Sequence, residues 1–379
     1  MVLGRADSGP PFAEAQGDAR GAPGGGGARD PEPRVGGCGR PFKTSSGVWV
    51  RCGSRIASSC SSCAELYRGD WAAIARSGVF EPGAEAFAFY LLTLTAPSFG
   101  RVHRVPRSTL SKRRKCGCGI VHGVGDADLR GVPLDPAGYD YLGQVSWNRD
   151  AGTLWDRTKR RLRDRWVSSE FFVVREWQDR GVLHLHVLVR VHRLEPSTRE
   201  ALQAAARTAT ATSLVDGTVV GWGDQMDVKR FKVGGDGART IWYLTKTLNY
   251  VMKDAAREAL SGQRGRGQSR VWAHLRALEA AARTVRCSSD CARGECRSRS
   301  HDRYGARSHV VSATRRTRTR TGWSFSGLTR GLQRQQRREW VERMQAPAPA
   351  YPPPPARAEV AAFGDLDAFA VLPRSGVVP

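Results

Sequence analysis

Apolar positions along the chain fall into runs whose spacing separates strands from helices. Phe87-Ala88-Phe89-Tyr90-Leu91-Leu92-Thr93-Leu94-Thr95 is almost unbroken apolar sequence ended by Ala96-Pro97, which predicts a buried strand. Two more such runs, Phe171 to Val174 and Val182 to Val189, flank the turn-forming triplet Asp179-Arg180-Gly181 and predict a hairpin. Leu154 to Arg165 has helical spacing with a basic outer face. Thr198 to Thr212 and Thr240 to Leu260 read as further helices, and Gln225 to Val233 as another strand. The expected fold class is α+β, a central antiparallel sheet with flanking helices and small cysteine modules.

The remaining sequence divides around this core. Residues 1–36 are Gly, Pro, Ala and charge without periodicity and read as a disordered tail. Residues 37–85 form a cysteine-rich module, 86–260 the central domain and 261–344 an Arg-rich, partly helical region. Residues 345–379 read as a Pro-rich linker and tail.

The hairpin carries the first candidate chemistry. In a strand, residues two apart share a face, so His184 and His186 project together. With a three-residue loop at 179–181, Glu176 falls opposite His184, and Gln178 lies on the same face as a further or substitute ligand. Two neutral imidazoles and a carboxylate suit a divalent metal with open positions. A strand histidine is more often a satisfied core residue, so the offset of Glu176 is what favours the metal reading.

The second candidate is the helix from Ile241 to Asp254. At 3.6 residues per turn, Tyr243, Lys246, Tyr250 and Lys253 fall on one face. A tyrosine is a weak nucleophile at neutral pH, but a neighbouring ammonium favours phenolate and a polarised phosphate eases attack. The competing reading is an amphipathic helix packing aromatics inward.

Composition says what such a site would act on. The chain has 379 residues, a net charge of +24 and 52 Arg against 8 Lys, which points to a polyanionic partner. No apolar stretch approaches a membrane span, and no signal-peptide core opens the chain, so no membrane partner and a cytoplasmic location are expected. No Gly-x-x-x-x-Gly-Lys-Ser/Thr is present, which argues against an ATP-driven helicase within the sequence. The run Arg315, Arg316, Arg318, Arg320 followed by Trp323 suits phosphate contact with base stacking.

Nine cysteines in a reducing compartment favour metal binding over disulfides. Cys38, Cys52, Cys60 and Cys63 suit a structural Zn2+ site, and Cys287, Cys291, Cys296 and His301 a second. Cys116, Cys118 and His122 form a third group that lacks an obvious fourth ligand.

The hairpin and the Tyr-x-x-Lys helix together resemble the two motifs of the HUH endonuclease superfamily. Five segments are similar to replication initiators of actinobacterial rolling-circle plasmids. They are Leu92 to Gly100, Glu176-x-Gln178-x-Arg180-Gly181-x-x-His184-x-His186, Tyr243-x-x-Lys246, Arg51 to Arg55, and Cys60 to Asp70. The likeness runs from about Cys38 to Arg330. It implies Mg2+ or Mn2+ held by His184, His186 and Glu176, and a tyrosine that attacks single-stranded or extruded plasmid origin DNA to give a 5′-phosphotyrosyl link. It further implies a host DNA polymerase, primed by the freed 3′-hydroxyl, and a host helicase as partners. The sequence departs from the family's frequent Tyr-x-x-Lys-Tyr-x-x-Lys, because position 247 is Thr and the second tyrosine is Tyr250. Tyr250-Val251-Met252-Lys253-Asp254 resembles single-tyrosine initiators, which puts Tyr250 first and Tyr243 second, or as a termination partner. A relaxase, a single-tyrosine transposase and a non-enzymatic zinc-stabilised DNA-binding regulator are the alternatives.

Overall fold

Five antiparallel strands form the central sheet of the computed structural model, in the order β8-β3-β5-β4-β9. The structure describes residues 35–252 and 269–345, apart from 46, 112, 113, 293, 308 and 309, and, for 245–252, 341, 342, 344 and 345, the backbone alone. The strands are β3 (Phe87–Leu94), β4 (Glu170–Trp177), β5 (Leu183–His192), β8 (Asp227–Phe231) and β9 (Val311–Ala313). β5 sits in the middle and is buried along nearly its whole length, its polar His184, His186 and Arg190 included. Two small ribbons lie outside this sheet: β1 (Phe42–Lys43) with β2 (Trp49–Val50), and β6 (Thr210–Thr212) with β7 (Val219–Gly221).

Strand alternation assigns each residue of β5 to one of two layers. Leu185, Val187, Val189 and Val191 join a core built with Trp147, Leu154, Trp155 and Leu162 of α2 (Tyr141–Arg165) and Leu202 and Ala206 of α3 (Arg199–Arg207). The alternate residues His184, His186, Leu188 and Arg190 face the opposite layer. There α1 (Ser61–Phe80) and α4 (Gly235–Met252) pack, α4 against β4 and α1 against α4. Arg190 is fully buried in that layer, donating to the carbonyls of Gly78 (2.9 Å) and Gly322 (2.5 Å) between the rings of Phe87, Trp323 and Phe325. Burial lowers its pKa to about 10, so it is still charged at neutral pH.

Several expectations change. α2 begins at Tyr141, well before Leu154, because Asp140 caps it by accepting from the Gly143 N–H at 2.7 Å. The segment expected to be helical to Thr212 stops at Arg207, and the β-branched alternation Thr210-Ala211-Thr212 then forms β6. The Arg-rich region does not stand apart from the central domain. Its β9 pairs with β4, and α5 (Arg270–Thr284) packs on α2. Residues 35–327 belong to one compact unit, and α6 (Arg330–Gln345) belongs to a second that begins at Leu328. The tail at 1–34 and the Pro-rich segment beyond 345 lie outside the described residues. Among the described residues no helix is long and apolar enough to cross a membrane.

Trp323 is the clearest correction. Expected to stack on bases, it is 0% exposed. Its indole donates to the Ala75 carbonyl at 3.3 Å and its ring lies 5.9 Å from that of Phe172. A Cβ on Gly78 would meet it at 2.3 Å, so the small residue on α1 makes room for the indole. Trp323→Ala is therefore expected to lower stability by about 3–5 kcal/mol. Denaturant unfolding checks this, and an unchanged midpoint would contradict it.

Candidate nicking site

The hairpin has the register that the sequence implies. Glu176 pairs with His184 and Val174 with His186 across β4 and β5. The Gln178 N–H donates to Val182 O at 2.9 Å, closing the loop over Asp179, Arg180 and Gly181. Gly181 has φ +74, and a Cβ there would come within 2.5 Å of Leu278, so this turn demands glycine. Buried polar side chains hold the turn from α2. Gln144 donates to Arg180 O at 2.8 Å and Asn148 to Gly181 O at 3.0 Å, while Asn148 accepts from the Leu183 N–H at 3.0 Å. Neither Gln144 nor Asn148 stands out in the sequence, since a polar residue inside a helix is usually solvent-facing.

Glu176, His184 and His186 converge on the α1/α4 face. The rings of His184 and His186 lie edge to face with centroids 4.6 Å apart. His186 Nε2 is 3.2 Å from Glu176 Oε2, and His184 Nδ1 is 3.4 Å from the Gln178 amide nitrogen. Burial, reinforced by His186 alongside, brings the His184 pKa down to about 4, so its imidazole is neutral at neutral pH. His186 Nδ1 is buried with no hydrogen-bond partner among the described residues. The neutral His184 imidazole and His186, with the carboxylate of Glu176 beside them, could hold a divalent cation. The donor atoms are adjacent but are not drawn together as tightly as the cysteine-bearing groups described below.

Tyr243 completes the arrangement. Its ring meets that of His186 edge-on, with centroids 5.5 Å apart and planes at 89°. Burial raises its phenol pKa, as does the Glu176 carboxylate, while Arg107 opposes them. Arg107 grips Asp179 through two nitrogens (3.2 and 3.0 Å) and approaches Glu176 to 3.9 Å. This arginine, 69 residues upstream of Glu176, carries no local signal that would have singled it out. Lys246 and Tyr250 fall within helical backbone, but their side chains, and all of Lys253, lie outside the described residues.

The cysteines gather as expected. The four sulfurs of Cys38, Cys52, Cys60 and Cys63 lie within 4.8 Å of one another, with separations of 3.6, 3.6 and 3.9 Å for three of the pairs. A tetrahedral Zn2+ with bonds of about 2.3 Å to sulfur has edges of about 3.8 Å. Burial pushes the Cys60 thiol up, but the Cys63 and Gly39 backbone amides and the neighbouring thiols outweigh it and bring it to about 6. Cys287, Cys291, Cys296 and His301 form a similar group. Cys287 and Cys296 sulfurs are 3.7 Å apart, and Cys291 is 3.5 Å from His301 Nε2. The Ala282 carbonyl lies 2.6 Å from His301 Nδ1 and so orients the ring with Nε2 toward the sulfurs. Both groups could hold a structural metal ion such as zinc. Cys116, Cys118 and His122 are joined by His103, the fourth partner that the local spacing did not reveal.

The basic run is mixed. Arg315, Arg316 and Arg318 are exposed, but Arg320 is partly buried and lies 3.8 Å from the buried Glu170.

Residues 40–367 match the family model RepSA, described as "Replication initiator protein, pSAM2". The chain belongs to this family. A curated "Replication initiator protein" of Streptomyces ambofaciens is 34% identical over 228 aligned residues, which cover 50% of this chain and 48% of the relative. The chain thus spans about half the length of the curated relative it matches. No solved structure matches significantly.

Proposed function

We propose that this chain initiates plasmid rolling-circle replication by nicking and rejoining origin DNA through an HUH-type tyrosine transesterification. The observation that carries this reading is Tyr243, whose ring rests on His186 at the face shared by Glu176 and His184. Membership in an initiator family and a central antiparallel sheet that displays the hairpin support it. Mg2+ or Mn2+ held by His184, His186 and Glu176 would supply Lewis-acid polarisation of the scissile phosphate. The Tyr243 phenol gives up its proton and its oxygen bonds to phosphorus, while the bond from phosphorus to the 3′-oxygen breaks. The leaving oxygen takes a proton, giving a free 3′-hydroxyl and a 5′-phosphotyrosyl link, and the reverse step reseals the strand. Arg107, 3.9 Å from Glu176, would neutralise charge on an incoming phosphate oxygen.

Tyr250 was the sequence's first choice, but position favours Tyr243. Seven helical residues place Tyr250 about 10 Å further along α4. That distance suits a second tyrosine used in termination more than the same attack. The 3′-hydroxyl would prime a host polymerase, with a host helicase unwinding the duplex.

The test is incubation with a supercoiled plasmid carrying its origin and Mg2+ or Mn2+. A nick with protein attached to the 5′ end is expected. Neither nick nor adduct would leave a DNA-binding regulator as the better reading. The exposed Arg315, Arg316 and Arg318 should contribute affinity without sequence preference. Replacing all three with Gln is expected to weaken origin and random DNA alike and to reduce the slope of log affinity against log salt by about 0.9 per lost phosphate contact. Fluorescence anisotropy checks this, and an unchanged slope would place the DNA elsewhere.

A further inference from the structure

We propose that His103, Cys116, Cys118 and His122 form a third structural zinc site, which fastens the loop bearing Arg107 against the nicking hairpin. The four donor atoms lie within 4.8 Å of one another, although His103 is 13 residues from the nearest cysteine. Their separations follow a tetrahedron of mixed ligands. His103 Nδ1 and His122 Nε2 are 3.2 Å apart, Cys118 Sγ and His122 Nε2 3.3 Å, and Cys116 Sγ and His103 Nδ1 3.7 Å. Zinc bonds of about 2.3 Å to sulfur and about 2.0–2.1 Å to nitrogen give edges of about 3.3 Å between nitrogens and about 3.6 Å between nitrogen and sulfur.

The surroundings fit a metal ligand set better than chance proximity. The carboxylate of Asp126 lies 3.1 Å from His122 Nδ1, which orients the ring with Nε2 toward the other donors, and it also accepts from the Gly123 N–H at 3.0 Å. The Arg104 N–H points at the Cys116 sulfur at 3.4 Å. The Cys116-Gly117-Cys118-Gly119 turn closes with Gly119 N–H donating to Cys116 O at 2.9 Å and Cys116 N–H to Ile120 O at 2.7 Å.

The loop needs such a staple. Leu110, Ile120, Val121 and Val124 are exposed, so the segment buries little apolar surface of its own. One end is anchored where the His103 N–H donates to Val132 O at 2.8 Å, and Gly131 packs against the Asp179–Arg180 backbone. Between these anchors the chain carries Arg107 to Asp179 and Glu176. The role of Arg107 rests on the nicking reading; the metal site itself does not.

Zinc released from the acid-denatured full chain decides the matter. Three equivalents are expected for the unaltered protein, and two for Cys118→Ser. Equal zinc in both would overturn the proposal. A second measurement needs no variant. Cys118 is exposed, so without metal it should react with maleimide at once. Peptide mapping is expected to show it protected until a chelator is added, and labelling at the same rate before and after chelation would equally overturn the site. Zinc content is indifferent to DNA cleavage, so a failure to nick would count against the nicking reading alone.

Discussion

Tyr243→Phe is expected to abolish formation of the protein–DNA adduct and to reduce origin nicking by at least about 10³-fold. The substitution removes only the phenolic oxygen. The ring that meets His186 is retained, so folding and DNA affinity should not change. Half-buried beside a carboxylate, the phenol is held protonated at neutral pH until charge compensates Glu176. That dependence is why a nucleophile at this position needs a cation and Arg107 nearby. Tyr250→Phe, by contrast, should still nick, still yield the adduct and still reseal it by the reverse step, while failing in termination. A denaturing gel of labelled origin oligonucleotide reads both variants, and an adduct surviving in Tyr243→Phe would sink the assignment.

His186→Ala and Glu176→Gln are expected to reduce nicking by more than about 10²-fold while leaving total zinc unchanged. His186 is deeply buried, with one nitrogen facing Glu176 and the other unpartnered among the described residues. Its replacement removes a proposed ligand from the hairpin without touching any of the three cysteine-bearing groups. Added Mn2+ should partly restore Glu176→Gln, where an amide oxygen still faces the site, but not His186→Ala. Full nicking by His186→Ala would show that the histidine pair is structural.

What could be read from the sequence is what local rules encode. The strand β3 and the hairpin were legible because near-continuous apolar runs, β-branched and aromatic content and an Asp-Arg-Gly turn all agree. The same agreement fixed Glu176 opposite His184, since one residue of slip would send both histidines to the other layer. Features made by distant partners were not legible. His103 meets Cys116 and His122 only because the chain doubles back beside Val132, and Arg107 reaches Glu176 by the same path. Trp323 looked like a stacking platform amid arginines, yet the small Gly78 on α1 opens a slot for it in the core. Placing Tyr250 before Tyr243 rested on motif likeness for a related reason. Periodicity says which face the two share, and only the packing of α4 on the sheet brings the Tyr243 ring to His186.

The central claim is that Tyr243 is the nucleophile served by the hairpin. The most direct test traps the covalent complex on origin DNA with Mn2+, digests protein and DNA, and sequences the modified peptide by tandem mass spectrometry. A single 5′-phosphotyrosyl linkage carried by Tyr243 is expected. A linkage on Tyr250, or a nicked origin with no peptide attached, would contradict it.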